Sequence, residues 1–221
     1  MKAFIFDLDG IIVDTAKYHF NSWKIIAKKI GFELSKTQNE LLKGVSREES
    51  LDKILNWGNF SISKLEKKKY LKEKNELYKR FICDLNKMDV LPGVHKLIDF
   101  ARIMGIPIAL GSASKNAHQI LEKLEIKNKF KVIVDGNLTS KSKPHPEVFL
   151  KGAQMLGVNP KEVIVFEDSI AGVEAANNAE MISVAICASG KIDYAKFNFE
   201  SLDDIPLEFF ENMIRNGSKN L

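Results

Sequence analysis

Apolar residues change their rhythm twice along this chain. Lys2-Ala-Phe-Ile-Phe6 is a short, almost unbroken apolar run, as in a buried strand. From Thr15 to about Asp89 the repeat is helical. His19, Trp23, Ile26, Ala27 and Ile30 share one helical face, and Gly31 stands where a helix-ending glycine belongs. Ser46-Arg-Glu-Glu49 has the spacing of a reciprocal N-terminal cap and opens a second helix through Leu51, Ile54 and Leu55. Ser63-Lys-Leu-Glu66 opens a long third helix, expected to bury Leu71, Tyr78, Phe81, Ile82 and Leu85 and to expose a lysine-rich face. Beyond Pro92-Gly93 the pattern alternates. Helices are predicted over 94–104, 116–124, 146–156, 169–178 and 207–215, with strands over 106–110, 131–134, 163–166 and 182–186. Continuous apolar strands that alternate with helices predict an α/β fold with a parallel sheet covered on both faces. A helical insertion of about 75 residues follows its first strand.

Composition narrows the function classes. At 45% hydrophobic and 28% charged, the 221 residues are enough for a sizeable core and exclude a disordered chain. The net charge of +4 is too small to argue for nucleic acid, and Lys67-Lys68-Lys69 reads as a solvated helix face. Cys83 and Cys187 form neither a disulfide framework nor a metal-binding pair. No apolar run reaches membrane-spanning length, and Asp7 and Asp9 interrupt the stretch a secretion signal would need. A cytoplasmic protein with no membrane partner is expected.

In an open parallel sheet, ligands bind at the carboxyl ends of the strands. Four such ends carry polar groups here: Asp7-Leu8-Asp9-Gly10, Gly111-Ser112-Ala113-Ser114-Lys115-Asn116, Lys143-Pro144, and Glu167-Asp168-Ser169. Each alone is ordinary. A serine after a strand usually caps a helix, and Glu-Asp before a helix favours its N-terminus. Together they are a coherent chemical set. Clustered carboxylates repel unless a cation lies between them, and an oxygen-only set suits Mg²⁺. A lysine and a hydroxyl then remain for an anion, which describes phosphoryl transfer with a carboxylate nucleophile. No nucleotide-binding P-loop, zinc-hydrolase or serine-hydrolase motif occurs.

The stretch Asp7-Leu-Asp-Gly-Ile-Ile-Val-Asp-Thr15 resembles the opening motif of the haloacid dehalogenase superfamily, specifically of its phosphotransferases. Ser112, Lys143-Pro144 and Glu167-Asp168-Ser169 match the remaining three motifs in order, so the resemblance covers nearly the whole chain. It implies a Rossmann-like core of residues 1–14 and 90–221, with an inserted α-helical cap of residues 15–89. Within the superfamily the chain is most similar to the β-phosphoglucomutase family. The hinge stretch 14–20, the loop Leu42-Lys-Gly-Val-Ser-Arg-Glu-Glu-Ser-Leu51, Lys74-Asn75 and Ser112–Asn116 carry that likeness. Thr139-Ser140-Lys141-Ser142 departs from the smaller residues usual there and places an extra lysine near Lys143.

The resemblance implies the roles of individual residues. Asp7 is the nucleophile and Asp9 the general acid/base, with Thr15 and His19 at the hinge. An open alternative makes His19 a core-facing helix residue. Asp7, the Asp9 carbonyl and Asp168 hold Mg²⁺, with Glu167 close by. Ser112 and Lys143 hold the transferring phosphate. Arg47, with Ser114, Lys115 and Asn116, holds the other, while Lys43, Gly44, Val45, Lys74 and Ala113 complete the substrate site. The implied reaction interconverts β-D-glucose 1-phosphate and D-glucose 6-phosphate through an aspartyl phosphate and β-glucose 1,6-bisphosphate. The alternative is an Mg²⁺-dependent sugar-phosphate phosphatase. Arg47 in its loop separates the two, because a simple phosphatase needs only one phosphate site. A monomer with a small-molecule sugar phosphate as its partner is expected.

Overall fold

The computed structural model describes residues 1–188 and 190–217. Ser189 and residues 218–221 of the expected core lie outside the described residues. Six parallel strands form one sheet: β1 (Ala3–Phe6), β2 (Ile108–Gly111), β3 (Val132–Val134), β4 (Val163–Glu167), β5 (Ile182–Ile186) and β6 (Phe197–Phe199), in the order β3-β2-β1-β4-β5-β6. This is the Rossmann strand order. Side-chain alternation sorts the strands' residues to two cores. Phe4 and Phe6 pack with Leu110, Phe166 and Val184 on one face, while Ile5 packs with Ala109 and Val165 on the other. The first face is covered by α5 (Val94–Ile103), α6 (Ala117–Lys123) and α9 (Leu207–Gly217), which contribute Leu97, Ile120 and Phe210. The second is covered by α7 (Glu147–Leu156) and α8 (Ile170–Asn178), through Phe149, Ala153 and Ala176.

Between β1 and α5 the chain forms α1 (Ala16–Ile30), α2 (Lys36–Glu40), α3 (Arg47–Trp57) and α4 (Lys64–Phe81). These helices close around their own cluster of Trp23, Ile26, Leu34, Leu51 and Ile54. Gly31 ends α1 as expected. Ser63 and Glu66 form the reciprocal cap of α4, but at α3 only half of it exists: Ser46 accepts the Glu49 N–H and nothing returns. Leu71 and Phe81 are half-buried, not buried. The reason is that α4 serves two cores. Its middle lies on the inserted helices, whereas Tyr78, with Ile82 and Leu85 just beyond the helix, joins the sheet-side cluster. Its buried face also carries Lys74.

The two connections to the insert run side by side. Val13 bridges Val90 in antiparallel fashion, and the Leu91 N–H donates to the Ile12 carbonyl at 2.9 Å. Besides the single-turn 3-10 helices at Lys87–Asp89, Lys127–Lys129 and Pro160–Glu162, two elements were not predicted. The five residues of α2 and the three of β6 are too short to establish a period, although the Ser35–Gln38 reciprocal cap marks the start of α2.

Candidate active site

Asp7 follows β1, and Glu167 is the last residue of β4. These strands are neighbours at the point where the sheet order reverses, the crevice in which ligands of open α/β sheets gather. Lys143, on the connection from β3 to α7, is 1% exposed at that point. Its ammonium hydrogen-bonds to Asp7 Oδ1 and, at 2.6 Å, to Glu167 Oε1, over the Phe149 ring. The other Glu167 oxygen accepts the N–H groups of Asp168 and Ser169 and the Ser169 hydroxyl, at 2.9–3.0 Å. Asp7 Oδ2 accepts the Asp9 N–H at 3.0 Å.

Carboxylate oxygens of Asp7, Glu167 and Asp168 lie within 4.8 Å of one another. Burial pushes the Asp7 carboxyl up to about 8 even with Lys143 beside it, and Glu167 and Asp9 add to the rise. Burial, then Glu167 and Asp7, lift Asp168 well above the carboxylate range. Burial alone would lower Lys143, but Asp7 and Glu167 outweigh it and hold the ammonium charged. One ammonium cannot offset three ionised carboxylates, which is why burial and mutual repulsion push Asp7 and Asp168 towards their neutral forms; a divalent metal ion among these hard oxygen donors would let all three ionise.

Asp9 directs its side chain elsewhere. The Thr15 hydroxyl hydrogen-bonds to Asp9 Oδ1, and His19 Nε2 lies 3.7 Å from the same oxygen. Thr15 is the N-cap residue of α1 but makes no side-chain cap, so its hydroxyl is free for Asp9. Burial acts to raise Asp9, yet His19, Thr15 and Lys74 together hold it below its ordinary value. Lys74 Nζ is 3.0 Å from His19 Nδ1 and lies over the rings of Trp23 and Tyr78, at 5.1 and 4.8 Å. Burial, and Arg47 after it, bring Lys74 down to about 7. Burial and Lys74 likewise lower His19. The core-facing alternative for His19 therefore gives way to a half-buried ring in the site.

A cleft of about 900 Å³, counted to its open mouth, lies between this centre and the inserted helices. The α2–α3 loop forms one wall. Gly44 (φ +74°) passes so close to α8 that a Cβ there would sit 2.4 Å from Ser169 Oγ. Lys43, Val45 and Arg47 line the cleft beside it. Lys43 pairs with Glu40 at 2.7 Å, whereas Arg47 has no carboxylate partner among the described residues. Burial lowers Arg47.

The β2–α6 turn supplies the facing wall with Ala113, Ser114, Lys115 and Asn116. Buried Ser112 accepts the Ser114 N–H at 3.1 Å. Lys115 pairs with Glu48 at 2.9 Å, and the Asn116 amide donates to Asn75 Oδ1 at 3.1 Å, so both reach across to the insert. Asn116 is the N-cap residue of α6 and, like Thr15, leaves the cap unmade. Thr15, Ser112, Lys143 and Glu167 stand behind the lining. Lys141, the unexpected lysine, is exposed.

Trp23, Asn39 and Tyr78 also line the cleft without having been predicted to do so, and Leu42 and Ser50 join them from the 42–51 loop. Trp23 and Tyr78 fall on apolar helix faces, and periodicity cannot tell such a residue from a core one. The Tyr78 hydroxyl and His19 Nε2 are buried without hydrogen-bond partners among the described residues.

Comparison with known proteins agrees with this geometry. Residues 4–186 match the haloacid dehalogenase-like hydrolase family. A β-phosphoglucomutase from Bacillus subtilis is 40% identical over 210 residues, covering 94% of this chain and 93% of its own. A phosphorylated-carbohydrates phosphatase from Thermotoga maritima is 32% identical over 181 residues, 81% of this chain and 82% of its own. The crystal structure of β-phosphoglucomutase from Clostridium difficile superposes with a TM-score of 0.92 at 42% identity, covering 96% of each chain. Sheet order, site and sequence agree: the chain belongs to the haloacid dehalogenase-like hydrolase family.

Proposed function

We propose that this protein is a phosphomutase that interconverts β-D-glucose 1-phosphate and D-glucose 6-phosphate through an aspartyl phosphate and a bound β-glucose 1,6-bisphosphate. One observation carries the reading. The cleft is lined by Arg47, which has no carboxylate partner among the described residues, and by Asp7 with Lys143 behind it, so it offers a second anion site that a one-phosphate hydrolase does not need. Similarity to the B. subtilis and C. difficile β-phosphoglucomutases over nearly the whole chain supports it. Residues 1–14 and 90–221 form the catalytic core in this reading, and residues 15–89 form the cap.

Asp7 is the nucleophile. The Lys143 ammonium and the Asp9 N–H fix its two oxygens. Asp9, ionised in the resting site, takes the proton from the sugar hydroxyl that attacks the aspartyl phosphate. This regenerates the Asp7 carboxylate and leaves Asp9 protonated. The bisphosphate then turns over. Asp7 attacks its other phosphate, and Asp9 returns the proton to the departing sugar oxygen, so protons balance over the cycle. The Thr15 hydroxyl holds the Asp9 carboxylate for both transfers, with the His19 ring 3.7 Å away. Ser112 joins Lys143 at the transferring phosphate. Arg47, Ser114, Lys115 and Asn116 hold the other, while Lys43, Gly44, Val45, Lys74 and Ala113 surround the sugar. Mg²⁺, bound by Asp7, the Asp9 carbonyl and Asp168 with Glu167 close by, would neutralise charge between the carboxylates and the phosphate.

A coupled assay of glucose 6-phosphate formation, run beside phosphate release, tests the reading. Conversion of β-glucose 1-phosphate is expected to be accelerated by added bisphosphate and to outpace hydrolysis. Stoichiometric phosphate release without glucose 6-phosphate would instead make the protein a sugar-phosphate phosphatase.

A further inference from the structure

The connection from β3 to α7 carries Lys143, and residues outside the cleft hold it in place. Glu147 opens α7, and its side chain is only 16% exposed. One of its oxygens accepts three hydrogen bonds, from the Ser140 N–H and hydroxyl at 3.0 Å each and from the Lys141 N–H at 2.7 Å. The other pairs with Lys151 one turn along at 2.8 Å. Lys151 in turn donates to the Leu138 carbonyl. The first two turns of α7 thus clamp residues 138–141 by their backbone. The same helix places the Phe149 ring beneath the Lys143 ammonium.

We infer that Glu147 is a positioning residue for phosphoryl transfer, its carboxylate fixing the 138–141 segment so that Lys143 is delivered to Asp7 and to the phosphate. This rests on the proposed role of Lys143 at the transferring phosphate. A lysine side chain is long and flexible, and its reach is set by where the backbone starts. The Glu147 clamp fixes the backbone on the N-terminal side of Lys143, while the Asn178 amide holds the Pro144 carbonyl at 3.0 Å on the other side. The Glu147 carboxyl, held down at about 2 chiefly by Lys151 and by the Lys141 and Ser140 donors, stays ionised for this task.

The test is a double-mutant cycle of Glu147→Ala and Lys143→Ala. It is read as the rate of Asp7 phosphorylation by acetyl phosphate and as kcat and KM for β-glucose 1-phosphate, with thermal melting of every variant. Glu147→Ala is expected to lower the phosphorylation rate and kcat about 10–100-fold with KM little changed, a size typical of a misplaced catalytic group. Glu147→Gln, whose carbonyl oxygen still accepts the loop donors, should restore most of that. In the Lys143→Ala background, Glu147→Ala should cost nothing more. Equal losses in both backgrounds, or no loss in the single variant, overturn the inference. Should Glu147→Ala fail to fold, the cycle is run with Glu147→Asp, too short to span to Ser140 and Lys141. Full activity there overturns the inference equally. Full activity of Lys143→Ala would remove the reading of Lys143 itself, and the inference with it. A crippled Lys143→Ala beside an unaffected Glu147→Ala removes the inference alone.

Discussion

Lys74 is an ammonium held at 3% exposure against His19 and two aromatic rings, with no carboxylate paired to it among the described residues. Its folded value of about 7 lies below the ordinary 10.5. Between those values the unfolded chain binds more protons than the folded one, so this group makes stability rise with pH from about 7 to 10.5 and costs stability below that window. Lys74→Met should therefore stabilise the protein against urea at pH 7, by an amount that shrinks towards pH 10.5, while weakening sugar-phosphate binding. Parallel pH profiles for the two proteins would show that Lys74 carries no such cost. Glu167 is constrained differently. A Cβ on Gly172 would meet Glu167 Oε1 at 1.8 Å. Gly172→Ala should push that carboxylate out of place and raise the Mg²⁺ concentration for half-maximal activity about 10–100-fold, the usual size of an outer-shell effect. An unchanged metal requirement would mean that Glu167 lies outside the metal's reach. Asp7, Asp9, Lys143, Glu167 and Asp168 were legible because strand ends are where this sheet class does chemistry. Tyr78 and Trp23 were not, because a residue facing a cleft and one facing a core leave the same mark on a helical repeat.

At the scale of the element, two helix starts turn their side chains away from their own helix. Thr15 and Asn116 occupy N-cap positions without capping, and their side chains go to Asp9 and Asn75 instead. Ser63 makes a complete reciprocal cap at α4, remote from the cleft lining. The two kinds of position should respond oppositely to substitution. Ser63→Ala is expected to cost about 1 kcal/mol of stability, the ordinary worth of a cap, and to leave turnover unchanged. Thr15→Val should cost α1 less than a lost cap does and yet slow turnover about 10²-fold or more, because Asp9 loses its positioning donor. Urea unfolding and kcat for the two variants separate these outcomes, and a Thr15→Val enzyme of normal rate would remove Thr15 from the mechanism. Sequence revealed Ser63 as a helix start, and Thr15 only as the point where the helical repeat begins. It did not reveal which hydroxyl would cap, because that depends on what stands opposite. The same limit explains the half-made cap at Ser46.

For the whole molecule, the question is how the inserted helices and the sheet come to share one cleft. The run of helices between β1 and α5 was legible from the switch between strand and helical periods, and the parallel sheet from its continuous apolar strands. The contacts that join the parts were not. Glu48 with Lys115, Asn75 with Asn116, and Gly44 against Ser169 each pair residues far apart in sequence, and no local pattern marks them. Their effect is to bring the α2–α3 loop, and Arg47 with it, over the carboxylate centre. Arg47 is the first residue of α3, where the backbone N–H groups of a helix start also favour an anion. A mutase must grip the phosphate that is not reacting, whichever end of the bisphosphate faces Asp7. Losing a charge-assisted contact of that kind costs about 1.5–3 kcal/mol, so Arg47→Ala should lower mutase turnover at least ~10-fold. Slow hydrolysis of acetyl phosphate, which has only one phosphate and occupies only the Asp7–Lys143 end, should stay nearly unchanged. If both activities fall together, Arg47 is structural and the two-site argument fails. If neither falls, the loop does not read phosphate, and hydrolysis of a single sugar phosphate becomes the better account of the cleft.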